Sequence, residues 1–78
     1  MYFMTIQDKT EDGQEISSWP YNVVARQSPG MVLDFRQREE SSRAKPPRVF
    51  VMIASFPLTR GEYDALVKFP HIKDWSIP

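Results

Sequence analysis

Cysteine is absent from this 78-residue sequence, and histidine occurs once, at His71. Without cysteine no disulfide can form, and with one imidazole there is no set of nitrogen or sulfur ligands for a transition metal. The absence of thiols also fits a reducing compartment, so we expect a cytoplasmic protein. We expect neither a bound metal nor a cofactor.

Glycine is scarce as well, with three residues in the chain, and neither a glycine-rich phosphate loop nor a nucleophile elbow occurs. The longest apolar run, Val49 to Ala54, is too short to cross a bilayer. Met1 to Asp8 lacks the basic start and long apolar core of a signal peptide. We therefore expect no membrane contact and no secretion signal.

A catalytic arrangement would have to be built around His71. A Ser-His-Asp set would combine it with Asp74 and a serine such as Ser55. A single histidine in a proline-flanked tail is far more often a surface residue than a general base. The sequence therefore favours a protein that is not an enzyme.

Length predicts one domain over residues 1–78, because a chain this short builds a single hydrophobic core. Such a core is marginally stable and is commonly supplemented by association, so we expect a homo-oligomer, most simply a dimer. The net charge is zero, yet acidic residues predominate from Met1 to Pro20 and basic residues from Tyr21 to Arg48. The simplest interpretation is that the two groups pair within the fold or across a dimer.

Alternation of apolar and polar residues predicts four strands, at Tyr2–Gln7, Tyr21–Gln27, Met31–Arg38 and Arg48–Phe56. Ser28-Pro29-Gly30 has the composition of a turn, so the second and third strands are predicted to form a hairpin. The fourth strand is apolar on both faces, which is typical of a central strand. The polar segments 8–20 and 39–47 are predicted loops.

Leu58–Lys68 carries the signature of a helix start. Thr59 can cap the backbone and Glu62 can reach back to it, as in a capping box. The same region also alternates like a strand around Gly61, which would give five strands and a small barrel of the OB type. The helix is favoured, and the predicted fold is α+β: a small antiparallel sheet of about four strands packed against one C-terminal helix.

Ten aromatic residues, two of them tryptophan, are more than so small a core is expected to enclose. Trp19, next to Pro20, and Trp75, in the tail, are predicted to contact a partner, with a lid over the core as the alternative. Basic residues of this kind usually belong to a solvated loop. Here they are predicted to form a rim beside the two tryptophans: Arg36, Arg38, Arg43, Lys45 and Arg48.

These features predict a non-enzymatic module that binds and masks a site on another protein. Accessory or inhibitor proteins of viruses and mobile elements have this size and composition. A homodimer would form by pairing of sheet edges or by docking of the Trp75 tail. The alternative is single-stranded nucleic-acid binding through an aromatic and basic sheet face. Four arginines would contact phosphates, Arg26, Arg36, Arg38 and Arg48, and five aromatic residues would stack on bases: Tyr2, Phe3, Tyr21, Phe35 and Phe50.

Overall fold

A computed structural model describes residues 1–10, 12 and 19–78 of the chain. In chain order its elements are β1 (Tyr2–Lys9), β2 (Tyr21–Ala25), α1 (Pro29–Arg43), β3 (Val49–Pro57), α2 (Arg60–Leu66) and β4 (Lys73–Asp74). The α+β class is therefore confirmed, with two helices where one was predicted. Neither helix in this part of the chain is long and apolar enough to cross a membrane.

The four strands form one mixed sheet in the order β3-β1-β2-β4. β1 runs antiparallel to both of its neighbours, whereas β4 runs parallel to β2, so the sheet is not purely antiparallel as predicted. β3 lies at the edge, and the prediction of a central strand there was wrong. Its apolar residues are instead partly left in solvent, since Ile53 and Phe56 are 57% and 58% exposed.

The hydrophobic core lies on one face of the two central strands. Their register places Met4 opposite Val23 and Tyr2 opposite Ala25. A cluster of fully buried residues forms there: Met4, Ile6, Val23, Ala25 and, from α1, Val32. Trp75 and Ile77 pack against this cluster, so the C-terminal tail docks on its own domain.

The segment Met31–Arg38, predicted as a strand of a hairpin, belongs to α1. Ser28 is the N-cap residue and Pro29 occupies the first turn, where a missing N–H costs nothing. The helix continues to Arg43, so most of the predicted loop 39–47 is helical too. Val32 is the one buried residue of α1, and this weak apolar stripe explains why a strand-like alternation dominated the pattern.

A helix follows Leu58, as predicted, but α2 covers only Arg60–Leu66 of the predicted segment Leu58–Lys68. Thr59 accepts a hydrogen bond from the Glu62 N–H at 3.2 Å, and Glu62 accepts one from the Thr59 N–H at 2.8 Å. This capping box satisfies two of the free N–H groups at the helix start. Tyr63 is the buried residue of α2, and the helix contacts β2.

The predicted loop 8–20 begins too early, because β1 continues through Asp8 to Lys9. Most of the remainder of that loop falls on residues 11 and 13–18, outside the described residues.

Candidate functional site: a basic aromatic pocket

A concave pocket opens at the end of the sheet where β1 finishes and β2 and β3 begin. Its cavity volume is about 480 Å³, within the usual range for ligand pockets of about 300–1,000 Å³. Three aromatic residues line it, Tyr21, Phe50 and Trp75, together with four residues that are or can be cationic, Arg43, Arg48, His71 and Lys73. We call this set the basic aromatic pocket.

The aromatic wall of the pocket is a packed cluster centred on Trp75. The Trp75 ring centroid lies 5.9 Å from Tyr21 at an interplanar angle of 69° and 5.3 Å from Phe50 at 58°. Edge-to-face and tilted pairs of this kind contribute about 0.5–1.5 kcal/mol each beyond the area they bury. Because the strands already hold Tyr21 and Phe50, the wall is formed before any ligand arrives.

Gln27 clamps the tail that carries Trp75. Its Oε1 accepts a hydrogen bond from the Ile77 N–H at 2.8 Å, and its Nε2 donates to the Ile77 carbonyl at 3.2 Å. At the residue between Trp75 and Ile77, the Arg26 N–H donates to Ser76 Oγ at 2.9 Å. The backbone N–H of Trp75 donates to the Val24 carbonyl at 2.8 Å. Hydrogen bonds at three consecutive residues, 75 to 77, therefore fix the tryptophan.

Asp74 adds a second anchor for the tail. Its carboxylate accepts hydrogen bonds from the Ser76 N–H at 2.9 Å, from the Ser76 hydroxyl at 2.5 Å and from the Tyr63 hydroxyl of α2. Partial burial acts to raise the pKa of Asp74, but the bonds from Ser76 and Tyr63 outweigh it, and the pKa is lowered. The anionic form of Asp74 thus ties β4 to α2.

Asp8 is the acidic residue of the pocket, and its charge is already engaged. Its side chain is 8% exposed and accepts a hydrogen bond from the Tyr21 hydroxyl at 2.6 Å and one from Arg48 Nη1 at 3.3 Å. Burial raises the pKa of Tyr21, and the bond to Asp8 raises it further. The Tyr21 hydroxyl therefore stays protonated and directed at Asp8.

Arg43 and Lys73 contribute charge that no carboxylate of the described residues pairs with. Across the described residues, every ion pair involves other side chains than these two. Arg43 is in the last turn of α1 and Lys73 is on β4, so two distant parts of the sequence direct cations to one opening. With Asp8 already bonded to Arg48, the described residues that line the basic aromatic pocket carry a net positive charge, which suits an anionic group.

Comparisons of the chain with family models, curated proteins and solved structures find no match.

The structure brings three of the predicted contact residues together in this pocket: Arg43, Arg48 and Trp75. Arg36 lies behind the aromatic wall, with its guanidinium carbon 6.0 Å from the Trp75 ring centroid. There it donates to the Ser76 carbonyl at 3.1 Å and pairs with Glu39 at 2.8 Å, so it supports the wall.

The remaining predicted residues lie outside the pocket lining. Arg38 pairs with Asp34 at 3.0 Å on the exposed side of α1. Lys45 is exposed in the segment between α1 and β3. Trp19 is 90% exposed, two residues before Tyr21.

Two other predicted constellations are not assembled. The sheet face of aromatic and basic residues is incomplete, because Phe35, Arg36 and Arg38 belong to α1. In the described part of the chain no hydrogen bond joins Ser55, His71 and Asp74 to one another, since the Asp74 carboxylate is bonded to Ser76 and Tyr63.

Sequence reasoning missed four of the lining residues: Asp8, Asn22, His71 and Lys73. None of them stands in a recognisable motif. His71 and Lys73 come close to Asp8 and Asn22 because β4 returns to pair with β2, at Val23 and Val24. A pairing of two residues per strand leaves no pattern that periodicity could detect.

Proposed function

We propose that this chain is a non-enzymatic protein-interaction module whose basic aromatic pocket receives an acidic segment of a partner protein. The observation that carries the proposal is the position of Arg43 and Lys73 beside the preformed wall of Trp75, with no ion pair to a carboxylate in the described part of the chain. A carboxylate can pair with these cations while an adjacent apolar side chain packs on the ring. Aromatic and arginine residues are the types that most often carry interface affinity.

A protein partner fits this surface better than a single-stranded nucleic acid. Nucleic-acid grooves need cations that follow a phosphate backbone, but the arginines elsewhere on the two helices are paired internally, Arg36 with Glu39, Arg38 with Asp34 and Arg60 with Asp64. The rings of the wall are tilted against one another by 58° and 69°, so they do not form a flat platform for successive bases. The cationic charge is local, which suits a short acidic segment.

Occupation of the pocket would cover acidic surface of the partner. Masking of that kind is how an accessory or inhibitor protein acts without chemistry of its own. The affinity of such a contact would depend on salt, because Arg43 and Lys73 are exposed to solvent.

Trp75 provides a direct reporter for the test. In a Trp19→Phe background it is the one tryptophan left, and its fluorescence is read while a synthetic peptide of Glu, Asp and Leu is added. We expect a saturable spectral change that a Lys-rich peptide of equal length does not cause. Arg43→Ala should weaken binding about fivefold, the equivalent of about 1 kcal/mol for one partly exposed ion pair.

Arg60→Ala is the matched control. Arg60 has a side chain 80% exposed on α2, pairs with Asp64 at 3.6 Å and does not line the pocket. It removes the same charge as Arg43→Ala and should leave the affinity unchanged. Equal weakening by both variants would indicate non-specific attraction and contradict the proposal. Salt-sensitive binding of a single-stranded oligonucleotide in place of the acidic peptide would favour the nucleic-acid alternative.

A further inference from the structure

The outer edge of β3 is divided into a bonded half and an open half. In the first half, Gln37 of α1 accepts from the Phe50 N–H at 2.8 Å and donates to the Arg48 carbonyl at 2.7 Å. Glu40 accepts from the Arg48 N–H at 3.1 Å. These side chains take the place of a neighbouring strand, so this half is protected against pairing with another chain.

Beyond Phe50 the protection ends. In the described part of the chain no side chain forms a hydrogen bond with the backbone of residues 52–57. Ile53 and Phe56 are more than half exposed, and no charged residue occurs from Met52 to Pro57. We call residues 52–57 the open segment. Exposed strand edges of this kind are usually protected by charged residues, and here only Pro57, at the end, has that effect.

We propose that two copies of this chain pair antiparallel through the open segment, about a two-fold axis near Ala54. In such an isologous contact each copy presents the same residues to the other. A segment without charge can meet itself without the like-charge repulsion that disfavours identical charged strands. A partner recognised by charge would find nothing to bind there, whereas Ile53 and Phe56 offer apolar surface to their own counterparts.

The rest of the sheet explains why the assembly would stop at two copies. The opposite edge is β4, which is two residues long and offers little for a further strand. Gln37 and Glu40 block the first half of β3, so the contact cannot extend along the strand. The proposed contact is therefore a closed dimer and not a growing ribbon.

The contact is short, and this sets its strength. A standard interface buries about 800 Å² on each partner, and a paired segment of some six residues falls below that. We expect a dissociation constant of the order of 100 μM, which places the equilibrium within reach of sedimentation velocity.

The test follows sedimentation of the full chain from about 10 μM to about 1 mM, a range that spans the expected constant. The unchanged chain should move from monomer to dimer over this range. Ile53→Lys and Ile53→Glu should each remain monomeric, because like charges meet near the two-fold axis. An equimolar mixture of the two variants should dimerise again, since the opposite charges then face one another. Circular dichroism confirms that each variant keeps the fold.

Phe69→Lys is the matched control. Phe69 is 51% exposed and lies outside β3. Like Ile53→Lys, this substitution replaces an exposed apolar side chain by a lysine. It should dimerise like the unchanged chain. A chain that stays monomeric up to the highest concentration would overturn the proposal, and so would an Ile53→Lys variant that dimerises normally. Loss of dimerisation in Phe69→Lys would place the contact elsewhere and overturn it as well.

Discussion

Replacing Gln37 by methionine tests how α1 is attached to the sheet. Methionine matches the length of glutamine, but it can neither accept from the Phe50 N–H nor donate to the Arg48 carbonyl, the bonds that measure 2.8 and 2.7 Å. The two backbone groups lie at a sheet edge, where water can partly replace the amide. The free energy of unfolding lost for each hydrogen bond is therefore close to the net contribution of such a bond. It is smaller than the full cost of burying an unpaired polar group.

The expected destabilisation follows from that count. Two neutral hydrogen bonds at about 0.5–1.5 kcal/mol each give a loss of about 1–3 kcal/mol. In a domain of this size, about 1 kcal/mol shifts Tm by roughly 4–8 °C. A central value of about 2 kcal/mol should thus lower Tm by about 8–16 °C, a large part of the stability of so small a core.

Urea and thermal unfolding followed by circular dichroism measure this loss. Gln37→Glu retains an acceptor for the Phe50 N–H but no donor for the Arg48 carbonyl, so it should fall between methionine and the unchanged protein. Arg38→Ala alters the neighbouring exposed residue and should change the free energy of unfolding by less than about 0.5 kcal/mol. If Gln37→Met also stays within about 0.5 kcal/mol, the side-chain amide does not join α1 to β3, and the reasoning is wrong.

Two further predictions concern the C-terminal third. Thr59→Ala removes the acceptor for the Glu62 N–H and should lower the free energy of unfolding in urea by about 1 kcal/mol. Thr59→Ser keeps a hydroxyl acceptor and should retain the stability of the unchanged protein. Equal stability of all three proteins would exclude the capping box as a contributor. Asp74 has a lowered pKa in the folded state, so its contribution is complete above the unfolded value near 3.8 and is lost as the pH falls through the folded value. Asp74→Asn should remove that part of the acid destabilisation, measured by urea unfolding at a series of acidic pH values; an unchanged pH profile would contradict the assignment.

The helix α2 could be predicted because its signals are local. Thr59 and Glu62 stand three positions apart, and the capping box they form depends on nothing outside the helix start. The competing strand-like alternation around Gly61 carried less information, since short alternating runs also occur in helices.

The helix α1 was missed because its inward face is largely polar. Gln37 and Glu40 bind the edge of β3, and Arg36 binds the tail beneath Trp75. These side chains contribute hydrogen bonds where a typical helix would bury apolar area, so the hydrophobic period gave no helical signal. Ser28 followed by Pro29 is typical of a helix start, but with Gly30 it has the composition of a turn as well.

Three of the nine described residues that line the pocket could be predicted as contact residues, and for a chemical reason. Arg43, Arg48 and Trp75 are of the types that carry interfaces, and the structure places all three at one opening. The order of the strands decides which of the aromatic and basic residues come together, and that order was not predictable from the sequence. The apolar composition of β3 indicated a central strand, although the chain leaves it at the edge.

Both proposed contacts involve β3, but they use different halves of the strand. Arg48 and Phe50, in its first half, line the pocket and are bonded by α1, whereas the open segment follows them. A β-bulge marks the change: Ile6 pairs with Met52 and Thr5 with Ala54, which leaves Ile53 without a partner on β1. Arg43→Ala should therefore weaken peptide binding and spare the dimer, and Ile53→Lys should do the reverse. Loss of both properties in a variant that circular dichroism shows to be folded would mean that the pocket and the open segment form one surface, because the effects of changes at distant, independent sites do not couple.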